Sequence, residues 1–323
     1  MKEEKNLIKA TLKFRKENIR LSWFYSVSSI ALLLMFIILT LFIPFLFLKY
    51  VFSLGITIMI VRSFIIYHDY AHGTILRKSR LAKLIYFIYG IYVLAPINVW
   101  KRTHDYHHRH IGKFFKPSIG SYPLYSKEKF KKSSKKNKIS YLLIRHPITM
   151  LFGYIFTFIF GMCLYPFISN PKKHYDSLIS LLFHLLYIIA VYHYFDLHTV
   201  ILVVIIPHFI SSALGAYLFY AQHNFPDAKY KSDKDWTYQY SALESSSYLK
   251  MNKLMEWITG NIGYHHIHHL NPSIPFYRLK EAMNNIKELQ NPKTTTLKIK
   301  DIISCLRLKV WNEDLNKMSN YKN

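Results

Sequence analysis

Apolar residues in this chain are gathered into long runs instead of recurring every third or fourth position. Residues 21–48 form the first run, containing LLLMFIILTLFIPFLFL, and residues 51–67 the second, with Lys49 and Tyr50 as the turn between them. Further runs follow at residues 81–97, 147–168, 177–195 and 199–221. A bilayer core needs about 20 apolar residues per helix, so this pattern predicts membrane-spanning helices. Between the runs lie basic segments. Residues 1–20 carry seven Lys or Arg against three Glu and predict either a basic helix on the cytoplasmic membrane surface or a solvated leader. Residues 127–138, KEKFKKSSKKNK, predict a loosely ordered polar loop. Residues 222–275 are a polar segment, and residues 276–323 a mixed, partly helical tail. There is no internal repeat, and the simplest division is one domain over residues 1–323, with residues 1–20 as its basic leader and 276–323 as its tail.

Composition sharpens this picture. The 323 residues carry a net charge of +25, which in a soluble protein would suggest nucleic-acid binding. Here the lysines sit between and outside the apolar runs, as in a membrane protein with basic cytoplasmic loops, so no nucleic-acid partner is expected. The two cysteines, Cys163 and Cys305, form neither a disulfide framework nor a CxxC pair. Arg62, near the end of the second run, is placed to snorkel to the interface.

Three histidine clusters interrupt the runs: HDYAH at His68–His72, HDYHH at His104–His108, and HHIHH at His265–His269. On a helix, positions i, i+3 and i+4 share a face. His68 and His72 therefore face one way, as do His104, His107 and His108, and as do His265, His268 and His269. A lone histidine is usually a satisfied polar residue, but three separate clusters at ligand spacing point to metal. Four ligands saturate a structural zinc, so eight imidazoles suggest two ions. A ligating histidine normally gives its other N–H to a carboxylate or carbonyl, and Asp69, Asp105, Asp227, Asp235, Glu244 and Glu256 lie close enough in sequence to serve. A shared site also limits topology. The run at 81–97 must not cross, and neither must one of the three runs at 147–168, 177–195 and 199–221; the first of these three is expected to be interfacial and broken by Pro147, Gly153 and Pro166. The positive-inside rule assigns the hairpin of 177–195 and 199–221 as crossing, because NPKKHYD before it holds two lysines. The expected architecture is all-α and integral to the membrane: about four transmembrane helices, interfacial helices, and a catalytic part on the cytoplasmic face.

The three boxes, in this order, resemble those of the membrane fatty-acid desaturase and hydroxylase superfamily. The resemblance extends to Gln222-His223, Trp236, GNIGYHHIHHLNPSIPFYRL and CLRLKVWNED, and is nearest to bacterial acyl-lipid desaturases. It covers most of the chain from about residue 20 onward. It implies a non-haem di-iron oxidoreductase whose ligands are His68, His72, His104, His107, His108, His265, His268 and His269, with His223 as a ninth at the end of the last span. His110 and His266 are left outside the ligand set, and no catalytic residue beyond the ligands is assigned. Imidazole alone suits iron, copper, nickel and zinc alike; the resemblance selects iron.

The implied reaction is O2-dependent insertion of a cis double bond into a fatty acyl chain carried by a membrane lipid, in a bacterial inner membrane. No fused electron-carrier motif is present, so a separate donor such as a ferredoxin is implied. A hydroxylase or ketolase on the same scaffold is the alternative, and a membrane metal transporter a more distant one. The position of the double bond, the carrier of the acyl chain and the oligomeric state are not legible in the residues.

Overall fold

The computed structural model describes residues 2–113, 119–232 and 234–321, with the backbone alone for residues 2–5. The protein is mostly helical. The first five helices are α1 (Lys2–Thr11), α2 (Ile19–Phe42), α3 (Leu46–Ala71), α4 (Arg80–Tyr92) and α5 (Ile97–Arg109). Among the described residues, four helices are long and apolar enough to cross a membrane: α2, α3, Tyr175–Tyr194 and Leu197–Ala221. At 1.5 Å per residue, each reaches about 30 Å or more. The break between the first two falls at Pro44, not at Lys49 and Tyr50 as the polarity suggests. Proline has no N–H to give an ongoing helix and disfavours helical backbone in the residue before it.

The chain divides into two compact units, one of residues 17–102 and 150–216, the other of the chain up to Lys16 with residues 103–149 and 217–323. In the first unit, α2 and α3 pack together with small polar residues inside. The buried positions of α2 are Ser22, Ser26, Ser29, Leu33 and Thr40, while Phe24, Val27, Leu34 and Ile38 are exposed. This inversion suits a hydrocarbon surround. Lipid solvates the large apolar side chains, and small residues let helices approach closely. Ser26 and Tyr86 share a hydrogen bond of 2.6 Å between hydroxyls, and Ser53 donates to the Leu202 carbonyl at 2.6 Å. Arg62 does not snorkel. It is buried, with its guanidinium 5.5 Å from the Tyr25 ring centroid. His184 and His208, in this unit's last two spans, are likewise held inside: His184 contacts the Tyr154 hydroxyl, and the His208 ring nitrogens lie 2.9 Å and 3.1 Å from the Val204 and Tyr92 carbonyls.

The run at 81–97 becomes α4 and the start of α5, two helices bent 90° from one another around Ala95-Pro96. The run at 147–168 is also broken, into Pro147–Leu151, a wider-wound helix Tyr154–Leu164 and Tyr165–Ser169.

The second unit carries short helices and two small sheets. β1 (Tyr125–Ser126) pairs parallel with β4 (Val310–Asn312), which pairs antiparallel with β5 (Lys317–Ser319); β2 (Tyr248–Lys250) pairs parallel with β3 (Thr294–Thr296). The tail is thereby part of the core: Cys305, Trp311 and Met318 are buried with Ala221, Phe225 and Tyr230. The lysine-rich segment is not a loose loop. It forms helices Lys127–Lys132 and Lys135–Ile144, whose N-caps Ser126 and Ser134 accept hydrogen bonds from the Lys129 and Asn137 N–H groups. Each cap satisfies an orphan donor, and buried Phe130 fastens the first helix. Composition hid both caps.

Candidate metal centre

The last two turns of α5 carry His104, His107 and His108, spaced so that one helix face presents all three. The third box forms its own short helix, His265–Leu270, every residue of which is buried. Two residues before it, Gly263 lets the backbone pass the Leu249 carbonyl, which a Cβ would meet at 2.4 Å.

These elements bring seven of the nine expected ligands into two groups within the second unit. In the first, His107, His223, His265 and His269 point their Nε2 atoms at one another. The separations are 2.9 Å for His223–His265, 3.1 Å for His107–His223 and His265–His269, and 3.3 Å for His107–His269. In the second, His104 and His268 each bring Nε2 to 3.1 Å from that of His108. The remaining two, His68 and His72, end α3 in the other unit, with ring centroids 4.7 Å apart and His68 Nδ1 3.4 Å from an Asp69 carboxylate oxygen.

Four converging ring nitrogens suit a metal ion better than hydrogen bonds. A neutral imidazole carries one N–H, so a ring whose proton sits on Nδ1 has only an Nε2 lone pair to turn towards the other three. His223 Nδ1 lies 3.2 Å from the Ser245 carbonyl. A carbonyl only accepts, so the proton sits on Nδ1 and Nε2 offers its lone pair, the arrangement a metal-binding histidine normally has. Two nitrogens about 2.1 Å from one ion and at right angles lie about 3 Å apart, which matches the observed separations. Burial pushes the His223 pKa down to about 4. Burial, and then the neighbouring imidazoles led by His265, holds His269 well below its ordinary value. Both are thus neutral at pH 7, the form that binds metal.

Outer contacts steady the group. The Tyr230 hydroxyl donates to the His223 carbonyl at 2.6 Å, and the Tyr238 hydroxyl donates to that of His269. Neither tyrosine stands at a box spacing, so sequence gave no signal for them. Of the carboxylates considered, Asp69 approaches His68, while Glu256 accepts from the Tyr264 hydroxyl at 3.0 Å, just before the third box. Glu244 pairs with Lys293 at 3.7 Å instead. His266 turns away towards Tyr248 and His110 stacks on Tyr106 at 3.9 Å, so neither joins the groups.

Membrane-length helices and buried imidazole clusters define a helical membrane protein with a histidine metal site. A family model of fatty acid desaturases matches residues 44–297. A fatty acid desaturase of Bacillus subtilis (strain 168) is 31% identical over 82% of this chain and 76% of its own length. An sn-1 oleoyl-lipid 12-desaturase of Synechocystis is 23% identical over 71% of this chain and 66% of its own length. The chloroplastic sn-2 acyl-lipid omega-3 desaturase (ferredoxin) of Helianthus annuus is 23% identical over 69% of this chain and 52% of its own length. The chain belongs to the fatty acid desaturase family, and it is an oxidoreductase of that kind, acting on fatty acyl chains.

Proposed function

We propose that the protein uses O2 and two non-haem irons to insert a cis double bond into acyl chains of membrane lipids. The observation that carries this reading is the ring of four Nε2 atoms with neighbouring separations of 2.9–3.3 Å, one of them held in the metal-binding tautomer by the Ser245 carbonyl. His107, His223, His265 and His269 hold one ion. His104, His108 and His268 serve the other, and by the spacing of the first box His68 and His72 complete its ligand set. When bound, the irons supply the reduction of O2 and the removal of hydrogen from an unactivated methylene.

The chain's own residues orient and enclose. The Ser245 carbonyl fixes the His223 imidazole, the Tyr230 and Tyr238 hydroxyls hold the backbones of His223 and His269, burial keeps those two imidazoles neutral, and the apolar helices offer the acyl chain a dry environment. The acyl-lipid names of the Synechocystis and Helianthus relatives support a lipid-bound substrate, and the latter's name supports a ferredoxin as separate donor. Residues 1–323 act as one catalytic domain in a bacterial inner membrane, with the histidines on the cytoplasmic side, as the lysine distribution supports.

Lipid profiling of a bacterial host expressing the chain tests this. New cis-unsaturated chains in phospholipid are expected. Hydroxylated chains without new alkenes, or no change in an iron-loaded protein, would overturn it.

A further inference from the structure

The leader does more than precede the first span. Leu7, Thr11 and Phe14 stand at i, i+4 and i+7 and are buried, while Lys9, Lys13 and Lys16 are exposed. The buried face meets the segment that follows the third box, within one compact unit. Thr11 gives its hydroxyl proton to the Ile8 carbonyl at 2.6 Å, and the same oxygen accepts from the Asn271 side-chain NH2 at 2.8 Å. Asn271 caps the C-terminus of the box helix His265–Leu270, its N–H donating to the Ile267 carbonyl at 2.9 Å. The oxygen of its side-chain amide accepts from the Ser273 N–H at 3.2 Å, so the NH2 is the end turned to Thr11. Further on, Arg278 closes a second contact. It donates to the Lys13 and Lys16 carbonyls at 3.2 Å each, pairs with Glu281 at 2.9 Å and 3.0 Å, and holds its guanidinium 5.5 Å from the Phe14 ring centroid.

We propose that Thr11 and Asn271 form a latch that positions His268 and His269, which makes the leader a support of the metal centre. The inference rests on the reading that these imidazoles hold metal. A helix of six residues is too short to be stable by itself, since nucleation costs more than so few hydrogen bonds return. Its ends must be fixed from outside, because ligand groups tolerate displacements of only about 0.5 Å. Asn271 closely follows His269 and is buried, and its NH2 has the Thr11 oxygen as acceptor. Without that oxygen a buried amide donor is left unsatisfied, and the cap must shift to find another acceptor. The leader lies outside residues 44–297, which the family model matches, so the resemblance does not supply this latch.

The test uses the full-length, iron-loaded protein in neutral detergent and follows iron release to an excess of a ferrous chelator. Thr11→Val removes the hydroxyl and keeps the volume. It is expected to release iron about tenfold faster than wild type, the scale of an outer contact on a metal ligand. Thr11→Ser keeps the hydroxyl and is expected to restore the wild-type rate, which a packing role for the Thr11 methyl would not allow. Asn271→Leu is expected to release iron at least as fast as Thr11→Val, and the double variant no faster than Asn271→Leu alone, because both remove one contact. A wild-type rate in Thr11→Val, a Thr11→Ser protein as fast as Thr11→Val, or additive effects in the double variant overturns the inference. Amide hydrogen exchange of the metal-free protein reads the same latch without iron. Thr11→Val is expected to raise exchange over residues 265–271, and unchanged exchange there overturns the latch. A wild-type protein that keeps no iron after loading would instead remove the metal reading itself, and hydrogen exchange then decides the latch alone.

Discussion

His223 and His265 face each other nitrogen to nitrogen, with 2.9 Å between their Nε2 atoms. They are 42 residues apart, and neither the third box nor the last apolar run alone implies that they meet. The contact gives the least regular of the expected ligands a place among three others, and it separates His223 from His266.

His223→Ala is expected to lower iron per protein and to cut activity about 100-fold or more, beyond the loss typical of an outer-contact residue. His266→Ala is the control and is expected to keep its iron. Metal analysis of both variants checks this, and full iron in His223→Ala would remove that residue from the ligand set.

On the function proposed above, the three boxes serve one catalytic centre. Ala at His68, His104 or His268 is each expected to abolish desaturation and lower bound iron, with the protein still inserted in the membrane. Product analysis beside metal content tests the three alike, and an active His268→Ala protein would contradict a shared centre.

The segment NPKKHYD is expected on the cytoplasmic side. A Lys173→Cys protein should react with an impermeant maleimide in inverted vesicles and not in intact cells. The native thiols, Cys163 and Cys305, are fully buried and give little background. Labelling only from outside would exchange the crossing hairpin for the run at 147–168.

Gly263→Ala is expected to destabilise the region of the third box. Its Cβ would meet the Leu249 carbonyl at 2.4 Å and the Met251 methyl at 2.8 Å, while the Leu249 N–H donates to the Gly263 carbonyl at 2.8 Å. Relief must come from moving backbone in β2. A cost of about 1–3 kcal/mol, read from thermal unfolding, should accompany reduced iron retention.

Lys309 gives stability a dependence on pH. It is buried with its ammonium 2.5 Å from the Arg145 carbonyl, and burial, then the Arg145 charge, pulls its pKa down to about 8 from 10.5. Between those values the unfolded chain holds more protons, so stability rises with pH. The cost of burying the charge is fully present below the folded pKa and is gone above the unfolded one. Unfolding of wild type and Lys309→Met should diverge in favour of wild type by on the order of 1 kcal/mol as pH rises from about 7.5 to 9.5. A constant difference between them would show that Lys309 keeps its ordinary pKa.

The sequence by itself determined the elements whose signal is local. Apolar runs mark four helices of membrane length because hydrocarbon demands about 20 consecutive apolar residues. The i, i+3, i+4 spacing puts His104, His107 and His108 on one face because a helix turns once every 3.6 residues. The lysine-rich helices were missed because their signal is two serine caps, which composition does not report. Tertiary structure alone decided how the imidazoles are grouped. His107 and His108 are neighbours on α5, yet His107 joins His223, His265 and His269 while His108 joins His104 and His268. Adjacent helical residues point about 100° apart, so one box can feed two groups, and which distant histidines complete each depends on packing between segments. The Ser245 carbonyl behind His223 and the Tyr238 hydroxyl on His269 belong to the same class: contacts across 22 and 31 residues, made by backbone and phenol groups that no spacing rule anticipates.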